Sequence, residues 1–194
     1  MSSAGEPTTE KLFAFPEDLS QLSVDHATFL RLHPKYHQVA VGALVFHNDR
    51  LLLVKRSATE RSFANCWEFP GGSVDPEDKT IFHAVARELM EEAGLRAVSI
   101  LNQVGEGVEF HSGWGMRKKM WLKLSFEVEV AEGKEKTEKD IPVKLDPIEH
   151  QAYLWVTEDD IRRGEVDGIQ LQFVTAAQTA VMLECFRQRR ERAG

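Results

Sequence analysis

The stretch that most limits what this chain can become is Thr80 to Ala93. Ile81, Val85 and Leu89 recur at four-residue steps with Phe82 beside them, while Glu88, Glu91 and Glu92 fall at i, i+3 and i+4. The first set gives a helix with one apolar stripe to pack on a core, and the second brings three carboxylates out on one face. Like charges this close repel, so the arrangement calls for a cation between them. A hard divalent ion suits it, Mg²⁺ first because it keeps waters and binds substrate phosphates, with Mn²⁺ as a substitute. Arg87, four residues before Glu91, is placed to hold that carboxylate. Gly71 and Gly72 let backbone approach a ligand closely, Thr80 or Asp78 is placed to cap the helix, and Gly94 ends it.

The stretch Gly71 to Leu95, GGSVDPEDKTIFHAVARELMEEAGL, resembles the Nudix box. Arg87-Glu88-Leu89-Met90-Glu91-Glu92-Ala93-Gly94-Leu95 matches the second half of that pattern throughout. In the first half, five residues after Gly72 lead to Asp78 where the family has Glu, and eight rather than seven residues then precede Arg87. The sequence therefore reads as a box with a one-residue insertion, with Asp78 or Glu77 in the first acidic position. Trp67-Glu68-Phe69-Pro70-Gly71-Gly72 looks like the box entry of MutT-type enzymes, and Glu149-His150 before Tyr153 to Val156 like a late acidic loop and strand. The likeness spans roughly Gln38 to Arg163.

The resemblance implies an α/β fold, an α/β/α sandwich around a mixed sheet. It implies a hydrolase that attacks phosphorus with water in a nucleoside diphosphate-linked small molecule. Gly71, Glu88, Glu91 and Glu92 are the implied metal ligands, and Glu91, Glu92 or Glu149 the implied base. Arg87 completes the catalytic set, and Arg56, Phe69 and Trp114 are the candidate substrate contacts. Arg56 either meets a phosphate or simply ends a strand. Phe110, Trp114 and Trp121 are aromatic faces on which a base stacks readily, although Trp121 reads first as core. A prenyl diphosphatase and a non-catalytic nucleotide sensor are the alternatives.

Composition sets the remaining bounds. A formal charge of −7 without a long basic run disfavours a nucleic-acid polymer as partner, leaving a small diphosphate compound. Cys66 and Cys185 make neither a disulfide framework nor a zinc site and fit a reducing compartment. No segment has the apolar length to cross a bilayer, and residues 1–9 lack the pattern of a secretory signal, so the expected address is the cytoplasm, as a monomer or homodimer.

Residues 1–36 read as an N-terminal extension, partly loose, with a helix from Pro16 to Leu32, and 37–194 as the enzymatic domain. Val39 to Phe46 and Leu51 to Val54 read as a hairpin across His47 to Arg50. Strands are expected at Val98 to Val104, Met120 to Val130 and Tyr153 to Val156, the second with one face on the core and one in water. Glu132 to Lys144 reads as a charged, mobile loop, Glu158 to Arg163 as a helical turn, and Gln170 to Arg192 as a long helix with a solvated basic end.

Overall fold

The computed structural model describes residues 13–133 and 141–194. The expectations for residues 1–9 and for most of the 132–144 loop lie outside the described residues. A 3₁₀ helix at Glu17–Leu22 and α1, His26–Leu32, precede the sheet. The single helix expected here is broken because Asp25 caps α1 afresh, its side chain accepting from the Thr28 N–H.

Strands β1 (Gln38–His47) and β2 (Arg50–Arg56) form the hairpin, with a turn tightened to Asn48-Asp49, where Asn48 takes φ 54°. Then come β3 (Trp67–Glu68), α2 (Ile81–Ala93), β4 (Ala97–Gln103), β5 (Val108–Ser112), β6 (Lys119–Val130) and β7 (His150–Val156). The chain ends with α3 (Glu158–Arg163), the short pair β8 (Glu165–Val166) and β9 (Ile169–Gln170), and α4 (Ala176–Ala193).

Seven strands make one mixed sheet with the path β3-β2-β1-β6-β4. β1 and β6 run parallel from Gln38↔Trp121 to Val45↔Val128, and the other pairs are antiparallel. β6 is long enough for β4 and β5 to share one of its edges. Val39, Val41, Ala43, Leu122, Leu124 and Phe126 pack with α2 and Phe29 of α1 on one side. Leu44, Leu51 and Leu53 pack with Ile161 of α3 and Val181, Met182 and Phe186 of α4 on the other. This is the α/β/α sandwich.

Because helices cover both faces, the expected solvent face of β6 does not exist: Lys123, Ser125 and Glu127 are buried. Arg189 and Arg192 of α4 reach Glu127, Arg189 at 2.5 Å, and Arg190 meets Glu158. The basic end of α4 is thus committed to ion pairs rather than left to solvent. The last helix starts at Ala176 rather than near Gln170, since Asp167 and Gly168 turn β8 into β9 with φ 49° and 81° and Thr175 caps α4. β5, not foreseen, is exposed along most of its length and held by its ladder to β6.

Candidate metal and diphosphate site

Helix α2 is fixed by its own ends. The Thr80 hydroxyl accepts from the His83 N–H, and Gly94 turns left-handed at φ 65°. Ile81, Phe82, Val85 and Leu89 are fully buried, which orients the glutamate face towards the loop after β3. That loop approaches as closely as glycine allows. A Cβ on Gly71 would stand 2.2 Å from the Val41 carbonyl oxygen, and one on Gly72 2.6 Å from the Glu88 carboxylate. The Gly71 N–H donates to Glu92 Oε2 at 2.7 Å.

Arg87 organises the carboxylates. Nε and Nη2 bind Asp78 at 3.0 and 2.9 Å, Nη1 binds Glu88 at 3.0 Å and Glu91 at 2.9 Å, and Nη2 also donates to the Ser73 carbonyl. The contact expected between Arg87 and Glu91 is present. Of the two candidates for the first acidic position, Asp78 is buried and gripped by Arg87, whereas Glu77 is exposed. Asp78 also accepts from the Asp75 N–H, so it closes the turn before the helix rather than capping it.

Of the implied ligands, Gly71, Glu88 and Glu92 come together beneath the loop. Glu91 does not join them, because Arg87 holds it on the exposed flank, with its side chain 56% accessible. Glu149, which just precedes β7, does come in. Single ligand atoms of Glu92, Glu149 and His150 lie within 4.8 Å of one another. His150 is 1% exposed, and both its ring nitrogens lack a hydrogen-bond partner among the described residues. Buried nitrogens without a hydrogen bond, one of them 3.8 Å from Glu68, beside the Glu92 and Glu149 carboxylates make a donor set that a divalent ion would suit.

Three further residues join the site: Glu68 and His150, which lie in the stretches that resemble the family but carry no expected role there, and Lys123, which no motif includes. Glu68 is buried, 2.6 Å from Arg56 Nη1 and 3.8 Å from His150 Nε2. The ammonium of Lys123 stands 4.8 Å from the centroid of Phe69. A lysine in the middle of an apolar strand was the available signal, concealed by the assumption that one face of β6 meets water.

The candidate substrate contacts separate. Arg56 does end β2, and it binds Glu68, Glu60 and the Ser62 carbonyl. Phe69 is fully buried in the α4-side core, so it is packing rather than a substrate face. Trp114 is 92% exposed at the turn between β5 and β6. Trp121 is not core: it is partly exposed, stacks on Phe110 at 5.5 Å and 19°, and donates from Nε1 to Ser112.

Charge in the site is unbalanced. Burial raises the Glu92 carboxyl well above its ordinary range, and Glu68, Glu88 and Glu149 add to this against the Gly71 N–H. Burial also raises Glu88, opposed by Arg87. Glu68 is held low despite burial, by His150, Lys123 and Arg56. Burial lowers Lys123, with Glu68 and Glu92 opposing. A cluster that resists ionisation in this way lacks positive charge, which a divalent ion supplies.

A NUDIX domain model matches residues 36–176. An m7GpppN-mRNA hydrolase of Danio rerio is 48% identical over 80 residues, 40% of this chain and 26% of that one. A CTP pyrophosphohydrolase of Escherichia coli is 39% identical over 71 residues, 37% of this chain and 47% of that one. The chain thus spans less than half the length of each of these curated relatives. The crystal structure of a MutT protein from Methanosarcina mazei superposes with a TM-score of 0.56 at 27% identity, over 79% of this chain and 95% of that one. With the box helix, its glycine loop and the mixed sheet all in place, the chain belongs to the NUDIX domain family.

Proposed function

We propose that the protein is a Mg²⁺-dependent hydrolase of a nucleotide-type diphosphate, cleaving by attack of water at phosphorus. The observation that carries this reading is the convergence of Glu88, Glu92 and Glu149 on the Gly71-Gly72 loop. Glu88 and Glu92 are the helix ligands in this proposal, with Gly71 alongside, and Glu91 is assigned to orienting Arg87 instead. Mg²⁺ supplies positive charge against the phosphate oxygens and acidity to the attacking water. Phosphoryl transfer asks chiefly for such positioning and neutralisation.

Glu149 is the proposed base. It is exposed and stands beside Glu92, whereas Glu92 is fixed by the Gly71 N–H and Glu91 by Arg87. The stacked Phe110–Trp121 pair lies one alternation along β6 from Lys123, on the same face and about 7 Å away, and is assigned to the base of the nucleotide. The curated relatives, named for m7GpppN-mRNA and for CTP, support a nucleotide over a prenyl substrate.

The test is a Mg²⁺ turnover screen over nucleoside triphosphates, oxidised dGTP, ADP-ribose, nucleotide sugars, dinucleoside polyphosphates and prenyl diphosphates. Glu92→Gln and Glu149→Gln are run beside the wild type. The expected result is cleavage of one nucleotide class, with kcat down about 10²- to 10⁴-fold in Glu149→Gln. Binding of a nucleotide without turnover would favour the sensor alternative.

A further inference from the structure

The reaction set out above gives Lys123 no task, and its surroundings supply one. Its side chain is nine-tenths buried at the centre of the sheet. The stem is laid across β1 where Gly42 leaves room: a Cβ there would meet Lys123 Cε at 3.2 Å and the Phe69 ring at 2.3 Å. The ammonium stands over the Phe69 ring, near enough to the carboxylate cluster for Glu68, Glu92 and Glu88 to favour its charge. Yet among the described residues it has no hydrogen-bonded or ion-paired partner.

Among the described residues, Arg56 and Arg87 beside the site are already tied to carboxylates and carbonyls. All three nitrogens of Arg56 are engaged by Ser62, Glu68 and Glu60, and all three of Arg87 by Asp78, Glu88, Glu91 and Ser73. The Lys123 ammonium offers three N–H donors, and an anion that reaches it would complete them. Metal binding by Glu92 adds to this, since the ion draws away the negative charge that offsets the lysine.

We propose that Lys123 is the phosphate-binding cation of this site, its ammonium donating to a non-bridging oxygen of the substrate diphosphate. This rests on the diphosphate reading above and assigns the phosphate contact to β6 rather than to Arg56. A chain with only carboxylates and a metal would bind phosphate through the metal alone. Lys123 adds a second, fixed point that sets how the diphosphate lies relative to Glu149.

The probe is methylenediphosphonate, a diphosphate that water cannot cleave, titrated by calorimetry into the full chain with Mg²⁺. Lys123→Met keeps the stem and removes the charge. It is expected to weaken the probe about tenfold or more, while affinity for Mg²⁺ alone stays equal or rises. A probe bound as tightly as by the wild type, or lost in parallel with Mg²⁺, would overturn the assignment, as would a wild-type protein that does not bind it. Should Lys123→Met fail to fold, a wild-type crystal structure with the probe decides. An ammonium to phosphonate-oxygen distance of about 3 Å is expected, and a probe held away from Lys123 overturns the proposal. Turnover in the screen above with binding indifferent to Lys123→Met would sink this inference and leave the hydrolase reading standing.

Discussion

Glu92 is where folding and function conflict at the scale of one residue. Burial and three neighbouring carboxylates raise its carboxyl well above the ordinary 4.5, against a single N–H from Gly71. A group whose pKa is raised on folding contributes stability below its unfolded value and loses it as pH rises through the folded value. In EDTA, thermal stability should therefore fall as pH climbs above about 4.5 on account of Glu92 and Glu88. Glu92→Gln removes the buried charge, so melting curves should place its Tm above the wild type at pH 7.5 by about 2–4 °C per kcal/mol relieved. The difference should vanish below pH 4.5. A Gln variant less stable than the wild type at neutral pH would refute the charge imbalance.

Arg87 shows the opposite economy. One guanidinium satisfies Asp78, Glu88, Glu91 and the Ser73 carbonyl, and lysine has neither the fork nor the donors to do so. Arg87→Lys should cost about 2–4 kcal/mol in urea unfolding and lower turnover as well. A loss under about 0.5 kcal/mol would mean that the network is surface decoration.

At the scale of elements, α2 was legible because its signals are local. The 3.6-residue period, the Thr80 cap and the Gly94 stop agree with one another, and the structure places the helix within one residue of the expectation. Strand β6 was misread because alternation records which residues share a face, not what covers that face. Lys123, Ser125 and Glu127 alternate with apolar neighbours as solvent-facing residues do, but all three are buried, Glu127 beneath Arg189 and Arg192 of α4. Motif spacing likewise gave Glu88 and Glu92 a role, left Glu68 and His150 inside the matched stretches without one, and passed over Lys123; strand register joins these three to the site.

The same packing yields a prediction for α4. Arg189 and Arg192 together neutralise Glu127, which is 1% exposed. Replacing both with Ala should destabilise by about 3–5 kcal/mol, because an uncompensated carboxylate stays buried. Adding Glu127→Leu should recover much of that loss. No recovery would show that the arginines stabilise α4 by packing alone.

For the whole molecule, the sandwich explains why the site lies where it does. β1 and β6 run parallel at the centre, the Gly71 loop crosses over Val41 and Gly42, and α2 is pressed on one face while α4 closes the other. Residues 13–32 share the α2 core through Phe13, Leu19, Leu22 and Phe29. None of the helices of the described residues is long and apolar enough to cross a membrane. The central claim is that this scaffold directs water to phosphorus at a metal held by Glu88 and Glu92 beside Gly71, with Glu149 as the base. The most direct test is to run turnover of the substrate class found by the screen in ¹⁸O-labelled water with Mg²⁺, for the wild type and Glu92→Gln. The account predicts label in one phosphate-bearing product, and a rate at least about 10²-fold lower in the variant. Products without label on phosphorus, or a variant as fast as the wild type, would contradict it.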